Sequence, residues 1–378
     1  MRICFVLEHF YPHIGGAETI FQGFVSNLAR LGHQVRVITS NSGGLDGKQF
    51  YGGVEVFHFR WREFFGHPIP SQTNLDPFIE WADLVHTATY TAGPVALAAA
   101  KRLNKPCVIT VYESLNKKWF WIEPNPLKAM MFWAFERYVV SRSYSLYHAI
   151  SDATATDLKE AGVNPDAITI IYPGVNEASV TAGISPGKPT QLPVELFANS
   201  KVFLYFGRPG QTKGIFVLFE AIRQIAHRLP EEIKFAFILS NDPWREKQRL
   251  RMETARARLE SRVRILDPVP QDDLTDAIKR AYCVVIPSIT EGFGFSAAES
   301  CALGAPVIAS NAGSLPEVVS GKALFFENRN TKSLAEQILK AVEGNFEAIP
   351  AKDFDWGIAT ARLVEAYETL TCANPSTA

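Results

Sequence analysis

The chain has 378 residues, of which 47 % are hydrophobic and 20 % charged, and its formal net charge at pH 7 is -1. This length exceeds what one ordinary core needs, so we expect two domains. The nearly balanced charge excludes a general electrostatic attraction to nucleic acid, and no segment has the roughly 18 uninterrupted apolar residues typical of a membrane span.

Short apolar runs alternate with helical patterns along the first half of the chain, which predicts a parallel α/β domain. The predicted strands lie at 3–7, 35–39, 54–58, 84–86, 108–111 and 146–150. A helix at 18–31 follows the first strand across the adjacent glycines Gly15 and Gly16. We place this domain at 1–175 and assign a C-terminal helix at 357–372 to it.

A second series of strands predicts a second domain at 201–356. Its predicted strands lie at 202–206, 234–239, 263–266, 284–287 and 307–309. The segment 176–200 between the domains is rich in Pro, Gly, Ser and Thr and has little periodicity, so we predict a linker. Two doubly wound domains would place their strand ends across one cleft, which is the usual place for a ligand.

The five cysteines are scattered along the sequence and have no metal-ligand spacing. They are Cys4, Cys107, Cys283, Cys301 and Cys372. This usage predicts reduced, mostly buried thiols in a cytoplasmic protein.

Two acids, Glu291 and Glu299, flank a glycine-containing turn between a predicted strand and a predicted helix. The turn consists of Gly292, Phe293, Gly294 and Phe295. Its backbone N–H groups and the helix N-terminus favour an anion, and carboxylates accept hydrogen bonds from sugar hydroxyls. The alternative is that these acids only stabilise a helix dipole, which does not explain the second Glu or the Gly-Phe-Gly turn.

Two cations follow the first strand of the second domain. Arg208 and Lys213 lie in a loop that begins at Gly207 and ends at Gly214. Charge-assisted hydrogen bonds from such groups suit a diphosphate. The alternative is a solvated loop with incidental cations.

The segment from Glu291 to Glu317 resembles the donor-binding signature of the retaining family-4 glycosyltransferases of GT-B fold. The signature is a Glu, seven residues and a second Glu, with glycines after the first, and the match continues at 304–310 and 313–317. The resemblance implies two Rossmann-like domains facing across a deep cleft, with a C-terminal helix crossing back to the first. It further implies that Arg208 and Lys213 grip a donor diphosphate, that Glu291 contacts the donor sugar and that Glu299 accepts from ribose hydroxyls.

The resemblance also places the donor base near Val269. Many family members have a glycine there, so this position does not decide the base, and we favour uridine while guanosine stays open. On the first domain, Gly15, Gly16 and Glu18 match a loop of the family that closes over the diphosphate and the acceptor. This loop lacks a G-x-G-x-x-G pattern, which argues against a nicotinamide cofactor. The alternative for the loop is a plain helix entry with an acid in its first turn.

The acceptor side departs from the family pattern. His86 is the first histidine of the family's His-x-His run, but Ala88 replaces the second, and Tyr112 stands where many members have another histidine. We predict an acceptor site near Gly16, Glu18, His86 and Tyr112. His86 joins Arg208, Lys213 and Glu291 as a candidate catalytic residue. The alternative is that His86 is a hydrogen-bonded core histidine. The family's retaining chemistry is thought to pass the acceptor's proton to the departing phosphate, so a missing base is not decisive.

Cations and aromatic residues cluster at 117–135. This segment can form an interfacial surface for a lipid-linked acceptor, or it can be a core helix with a solvated start. No group of His, Cys or Asp has metal-ligand spacing, so we expect no metal and no other cofactor.

Together these patterns predict a retaining glycosyltransferase that moves a hexose-type sugar from a nucleotide diphosphate sugar to a hydroxyl of a glycan, glycolipid or cell-envelope polysaccharide precursor. The protein would be cytoplasmic, with peripheral association at the inner membrane face. Two alternatives stay open, namely a nucleotide-sugar epimerase on the same fold and a nucleotide-sugar-binding protein without transfer activity.

Overall fold

The computed structural model describes residues 1–372 except 14, 42–43, 65–66, 71–72, 176–189 and 242. The chain divides into two compact units, the first formed by Met1–Gly174 and Phe354–Ala378 and the second by Val175–Asp353. Most of the predicted linker 176–200 therefore lies outside the described residues. Its described end, from residue 190, includes a short helix, Val194–Asn199.

An eight-stranded sheet forms the centre of the first unit, in the order β10-β9-β8-β7-β1-β2-β4-β3. Its strands are β1 (Arg2–Leu7), β2 (Gln34–Ser40), β3 (Gly47–Tyr51), β4 (Val54–Phe59), β7 (Leu84–Ala88), β8 (Cys107–Val111), β9 (Leu146–Ala149) and β10 (Ile168–Ile170). All pairs are parallel except β3 with β4. A separate hairpin joins β5 (Arg62–Phe64) to β6 (His67–Ile69).

Helices cover the sheet of the first unit. They are α1 (Gly16–Arg30), α2 (Asp76–Trp81), α3 (Ala92–Arg102), α4 (Trp119–Ile122), α5 (Pro126–Val140) and α6 (Asp152–Glu160). Strands β1, β7 and β8 are buried almost throughout because helices pack on both faces of a parallel sheet.

The C-terminal helix, Trp356–Cys372, belongs to the first unit and packs against α1. Its first residue, Trp356, meets the ring of Phe24 edge to face at 5.3 Å between centroids. One turn from its end, Tyr367 is fully buried beside His86 on β7. The helix is therefore an integral part of the first unit, as the resemblance implied.

The second unit has a seven-stranded sheet in the order β13-β12-β11-β14-β15-β16-β17. Its strands are β11 (Lys201–Gly207), β12 (Ile233–Leu239), β13 (Val263–Leu266), β14 (Cys283–Ile286), β15 (Val307–Ser310), β16 (Gly321–Phe326) and β17 (Glu347–Ile349), of which only β17 is antiparallel. After α7 (Val194–Asn199), its helices are α8 (Ile215–Ile225), α9 (Trp244–Arg256), α10 (Gln271–Arg280), α11 (Phe295–Ala302), α12 (Leu315–Val318) and α13 (Thr331–Val342). The C-terminal helix Trp356–Cys372 is α14.

The predicted doubly wound fold with two domains is confirmed. The eleven strands predicted from apolar runs all coincide with observed strands. Apolar runs do not mark the other six strands, β3, β5, β6, β10, β16 and β17. In each large sheet the strand order reverses once, between β1 and β7 and between β11 and β14. Such a switch point is where open α/β sheets bind ligands at the carboxyl ends of their strands.

Candidate functional site

The loops that carry the predicted donor-binding residues flank the switch point of the second unit. The loop with Arg208 and Lys213 follows β11, and the acid turn with Glu291 follows the neighbouring strand β14. Residues that are 78 positions apart in sequence therefore meet at one edge of the sheet.

A close backbone approach brings the two loops together. Gly214 has φ +65°, and a Cβ atom there would lie 1.7 Å from the carbonyl oxygen of Pro287. Beside it, the Thr212 carbonyl accepts a hydrogen bond from Ile289 N at 2.7 Å. Only glycine combines this left-handed conformation with such a contact, so Gly214 allows the cationic loop to pack onto the acid turn.

At this contact Lys213 and Glu291 form an ion pair. Lys213 Nζ donates to Glu291 Oε1 at 2.9 Å and to Oε2 at 2.8 Å. Ser288 Oγ donates to the same Oε2 at 2.9 Å. The three side chains line one recess of about 40 Å³ together with Arg208, Ser296 and other residues of β11 and β14. The recess brings two cations and one carboxylate to the sheet edge.

The main chain of Glu291 is fixed from the other side by the segment after β15. Ser314 donates to the Glu291 carbonyl through its backbone N at 3.1 Å and its hydroxyl at 3.2 Å. Gly313 has φ +52°, and a Cβ atom there would lie 2.1 Å from that same carbonyl oxygen. This contact explains why the matched motif extends beyond the two acids.

Helix α11 begins directly after the acid turn, with Gly294 at its N-cap. Phe293 is buried and packs edge to face on Phe295 at 5.0 Å, so both rings support the turn. The first N–H groups of an α-helix have no partner within the helix, which makes this end suitable for an anion. Glu299 lies in the same helix, and burial raises the pKa of its carboxyl to about 7.

The predicted base-binding residue Val269 follows β13 and is partly buried. The loop before it is held by Lys247, whose side chain is only 3 % exposed. Lys247 Nζ donates to the Leu239 carbonyl at 3.1 Å, to Asn241 Oδ1 at 2.7 Å and to Asp267 Oδ1 at 2.6 Å. One buried cation thus joins the carboxyl ends of β12 and β13.

In the first unit, Glu8 occupies the switch point between β1 and β7. Its carboxylate accepts from Tyr90 N at 2.9 Å and from Thr91 Oγ1 at 2.7 Å, and it pairs with His67 Nδ1 at 3.1 Å. Burial pushes the pKa of Glu8 upward, but hydrogen bonds from His67 and Thr91 outweigh this and hold the pKa below its usual value. The bond to Glu8 in turn raises the pKa of His67.

The glycine loop after β1 leads into α1. Gly15 is the N-cap in extended conformation, and Gly16 is the exposed first residue of the helix. Glu18 is buried, and its Oε1 lies 2.9 Å from His13 Nδ1. The ring of His13 stacks on His9 at 4.6 Å. The first unit therefore gathers buried acids and partly exposed imidazoles at its switch point.

His86 lies within the core of the first unit and is fully buried. Its Nδ1 bonds to the hydroxyl of Tyr367, and its Nε2 to Thr110 Oγ1 at 2.7 Å. Thr110 Oγ1 continues to His148 Nδ1 at 2.8 Å, and His148 Nε2 reaches the Ile171 carbonyl at 2.9 Å.

Both histidines of this hydrogen-bonded series, His86 and His148, are neutral near pH 7. Burial lowers the pKa of His148 to about 4, and burial followed by the neighbouring His148 lowers the pKa of His86. The Ile171 carbonyl can only accept, so His148 donates to it through Nε2 and accepts from Thr110 through Nδ1. By the same reasoning His86 donates to Thr110 and accepts from the Tyr367 hydroxyl. This geometry favours the alternative of a hydrogen-bonded core histidine for His86.

Tyr112 follows β8 and packs edge to face on Phe21 at 6.0 Å. Burial and the nearby acids Glu18 and Glu8 raise the pKa of its hydroxyl well above the usual value. Such a hydroxyl can donate a hydrogen bond but is a poor base.

The segment 117–135 forms the last turn of a 3₁₀ helix, α4 and most of α5. Its side chains are mixed in exposure. Ala129 is buried, whereas Phe120, Trp121 and Met130 are exposed. The core interpretation therefore fits Ala129, whereas Phe120, Trp121 and Met130 lie at the surface of the first unit.

Several residues of these sites are not among those predicted from sequence. They are Glu8, His13, His67 and Thr91 in the first unit and Ser288 and Lys247 in the second. Glu8 and Ser288 carried a usable signal, since each is a polar residue within two positions of the end of a buried strand. His67 and Lys247 had none, because the contacts of His67 with Glu8 and of Lys247 with Asp267 depend on which strands lie side by side.

Within the described residues, no group of three or more His, Cys, Asp or Glu side chains is placed to hold a metal ion. None of the helices in the described part of the chain has the length and apolarity that crossing a bilayer requires.

Two family models match the chain. The model of glycosyltransferase family 4 matches residues 14–179, and the model of glycosyl transferases group 1 matches residues 189–354. A D-inositol 3-phosphate glycosyltransferase of Xylanimonas cellulosilytica is 26 % identical over 317 residues, which are 78 % of this chain and 74 % of the relative. The O-antigen chain mannosyltransferase B of Escherichia coli is 29 % identical over 175 residues, 44 % of this chain and 45 % of the relative.

Solved structures show the same fold. HepE of Anabaena in complex with UDP-glucose superposes with a TM-score of 0.75 at 20 % identity, covering 98 % of this chain and all of that one. Sucrose-phosphate synthase of Thermosynechococcus elongatus also gives 0.75, at 19 % identity, with coverage of 99 % and 100 %. The chain therefore belongs to the family-4 glycosyltransferases of GT-B fold and transfers sugar from a nucleotide-sugar donor.

Proposed function

We propose that this enzyme moves a hexose from a UDP-sugar to a hydroxyl acceptor with retention of anomeric configuration. The observation that carries the proposal is the recess at the β11–β14 switch point, where Lys213, Glu291 and Arg208 lie together. A donor sugar diphosphate needs cations for its diphosphate and an acceptor group for its sugar hydroxyls, and this set provides both. The structural neighbour crystallised with UDP-glucose supports a uridine donor.

In the proposed reaction, Arg208 and Lys213 hold the diphosphate and stabilise the charge that develops on it. Glu291 accepts from the sugar hydroxyls, and Glu299 accepts from the ribose hydroxyls. The bond between the anomeric carbon and the phosphate oxygen breaks while the acceptor oxygen bonds to the same carbon. The acceptor's proton passes to the departing phosphate oxygen, so the chain needs no base of its own and no metal ion.

For the acceptor we propose a lipid-linked glycan or cell-envelope precursor, bound by the first unit of a cytoplasmic enzyme that associates peripherally with the membrane. The names of the relatives, which concern D-inositol 3-phosphate and an O-antigen chain, support a hydroxyl of a polyol or glycan. The exposed aromatic side chains on α4 support contact with lipid.

The test is incubation of the full chain with UDP-, GDP- and ADP-sugars, with and without acceptor, followed by NMR of the products. We expect UDP release, slow donor hydrolysis without acceptor, and a product with the donor's anomeric configuration. Activity should survive EDTA. An epimerised donor, an inverted product or a requirement for Mg²⁺ would each contradict the corresponding part of the proposal.

A further inference from the structure

The first unit contains a cavity of about 180 Å³ beside its switch point. It is lined by Tyr90 and Thr91 after β7, by His67 on β6, by Trp119 on α4 and by Met131, Phe132 and Phe135 on α5. Five of these seven residues are Tyr, Trp, Phe or Met. The wall is therefore apolar, and its polar end lies toward Glu8.

The polar end is fixed by hydrogen bonds. Thr91 Oγ1 and Tyr90 N both donate to Glu8, and His67 pairs with the same carboxylate. These contacts tie the cavity to the carboxyl end of β1, where open parallel sheets bind ligands. If an apolar group of a ligand fills the cavity, the polar group attached to it would thus lie at the site where we place the acceptor.

The opposite wall is held open by a buried acid. Glu136 is 1 % exposed and accepts from Trp119 Nε1 at 3.0 Å, from Leu115 N at 2.9 Å and from Asn116 N at 2.7 Å. These bonds fix the Trp119 indole, which packs on Phe132 at 5.0 Å between ring centroids. A preformed, partly open apolar cavity of this size beside the switch point is suited to an apolar ligand.

The volume limits what can enter. An apolar cavity of about 150 Å³ is known to take up a benzene ring, so this one of about 180 Å³ holds roughly six carbon atoms. A whole lipid tail does not fit, but its first segment does.

The same two helices indicate where the rest of a tail would lie. Phe120, Trp121, Leu127 and Met130 on α4 and α5 are between 49 % and 72 % exposed. Lys117 and Lys128 are exposed in the same segment. Exposed aromatic and aliphatic side chains beside lysines are typical of surfaces that rest on anionic membranes.

We propose that this cavity binds the first six or so hydrocarbon carbons of a lipid-linked acceptor, next to its head group, while the exposed side chains of α4 and α5 rest on the membrane. This inference rests on the proposed function, because it assigns the acceptor class to the same enzyme. It requires only binding, and donor binding by the second unit can be measured separately.

The test is calorimetric titration of the full chain with n-alkyl β-D-glucosides, from ethyl to octyl, below their micelle concentrations. Affinity should rise about fourfold per methylene group up to about six carbons and then level off. Met131→Trp fills the cavity and should move this break to shorter chains, whereas Phe132→Leu enlarges it and should move the break to longer ones. Ala134→Trp, which introduces a tryptophan at an exposed position of α5, should leave the break unchanged.

If the affinity for the alkyl glucosides did not depend on chain length, or if the break fell at the same length in all variants, the cavity assignment would be overturned. UDP titration of the wild type and of each variant tests the donor site independently. A wild type that binds no UDP but gives the expected alkyl series would contradict the proposed function alone. A second experiment tests whether the lipid comes from a membrane. The double variant Trp121→Ser, Leu127→Ser should cosediment with phosphatidylethanolamine–phosphatidylglycerol vesicles at least fivefold less than the wild type. Its affinities for the glucoside series should be unchanged. Undiminished cosedimentation would overturn a membrane lipid as the source.

Discussion

Lys213 donates to both carboxylate oxygens of Glu291, at 2.9 and 2.8 Å, across the switch point of the second unit. The pair is partly exposed, with side-chain exposures of 37 % and 13 %. In the proposed complex the two side chains bind different parts of the donor: Lys213 contacts the diphosphate and Glu291 contacts the sugar. The ion pair would then keep both side chains in place before the donor binds.

Glu291→Gln should reduce turnover about a hundredfold or more while the Kd for UDP changes by no more than about threefold. The amide keeps the shape of the side chain and frees Lys213 for the diphosphate, but it loses the charge that strengthens hydrogen bonds from the sugar hydroxyls. Steady-state kinetics and calorimetry measure the two effects. Ser288→Ala, which removes the hydroxyl that bonds to Glu291, should have a smaller effect of the same kind. Unchanged turnover in Glu291→Gln would remove Glu291 from the mechanism.

Arg208→Ala combined with Lys213→Ala should weaken UDP binding by about a hundredfold or more. The reason is that two charge-assisted hydrogen bonds together contribute about 3 kcal/mol. The control is Arg256→Ala with Lys279→Ala, which removes two exposed cations of the same unit. Calorimetry should show near-normal affinity for the control, and equal losses in the two double variants would indicate a general charge effect.

The binding of UDP-glucose should tighten as the pH rises from 5.5 to 7.5, by about twentyfold. Burial raises the pKa of Glu299 to about 7, so the free enzyme is mostly protonated there at pH 5.5. Ribose hydroxyls that donate to the carboxylate favour its ionised form, so binding releases a proton and is favoured at higher pH. UDP-glucose is used because its diphosphate does not titrate in this range.

Glu299→Gln is the matched control, and its affinity for UDP-glucose should vary little over the same pH range. Calorimetry in two buffers of different ionisation enthalpy also counts the released proton. If the wild type and Glu299→Gln respond to pH equally, another group is responsible.

The sequence predicted what depends on local pattern. Buried strands such as β1, β7 and β14 are apolar runs, and the Glu291–Glu299 spacing is visible within one segment. Strand β3 was missed because its residues are exposed or partly exposed, and it pairs only at the edge of the sheet, so no apolar run marks it. The pairing of Glu8 with His67 and of Lys247 with Asp267 depends on how the strands are ordered, which the chain does not encode locally.

Gly214→Ala should abolish or strongly weaken donor binding and lower the free energy of unfolding of the second unit. The alanine Cβ would lie 1.7 Å from the Pro287 carbonyl oxygen, so the cationic loop would have to move away from the acid turn. Gly304→Ala is the matched control, since Gly304 also has positive φ, +77°, but has no atom within 4 Å of the added Cβ. The control should cost only the conformational term of about 1–2 kcal/mol. Urea unfolding and UDP titration of both variants separate strain from steric conflict, and equal behaviour would contradict the role of the close approach.

Tyr367→Phe should lower the free energy of unfolding by about 1–3 kcal/mol, because it leaves His86 Nδ1 as a buried acceptor without a donor. Residues 86 and 367 are 281 positions apart, and no local pattern links them. Tyr138→Phe removes a hydroxyl from an exposed tyrosine of the same unit and should leave stability nearly unchanged.

Urea unfolding followed by circular dichroism measures the loss, and single-turnover kinetics at saturating donor measure the transfer step. If His86 has only a structural role in the core, the Tyr367→Phe variant should transfer sugar at nearly the wild-type rate under conditions in which it is folded. A large fall in the rate with unchanged stability would instead indicate that the Tyr367–His86–Thr110 chain takes part in the chemistry. That result would restore His86 as a catalytic residue.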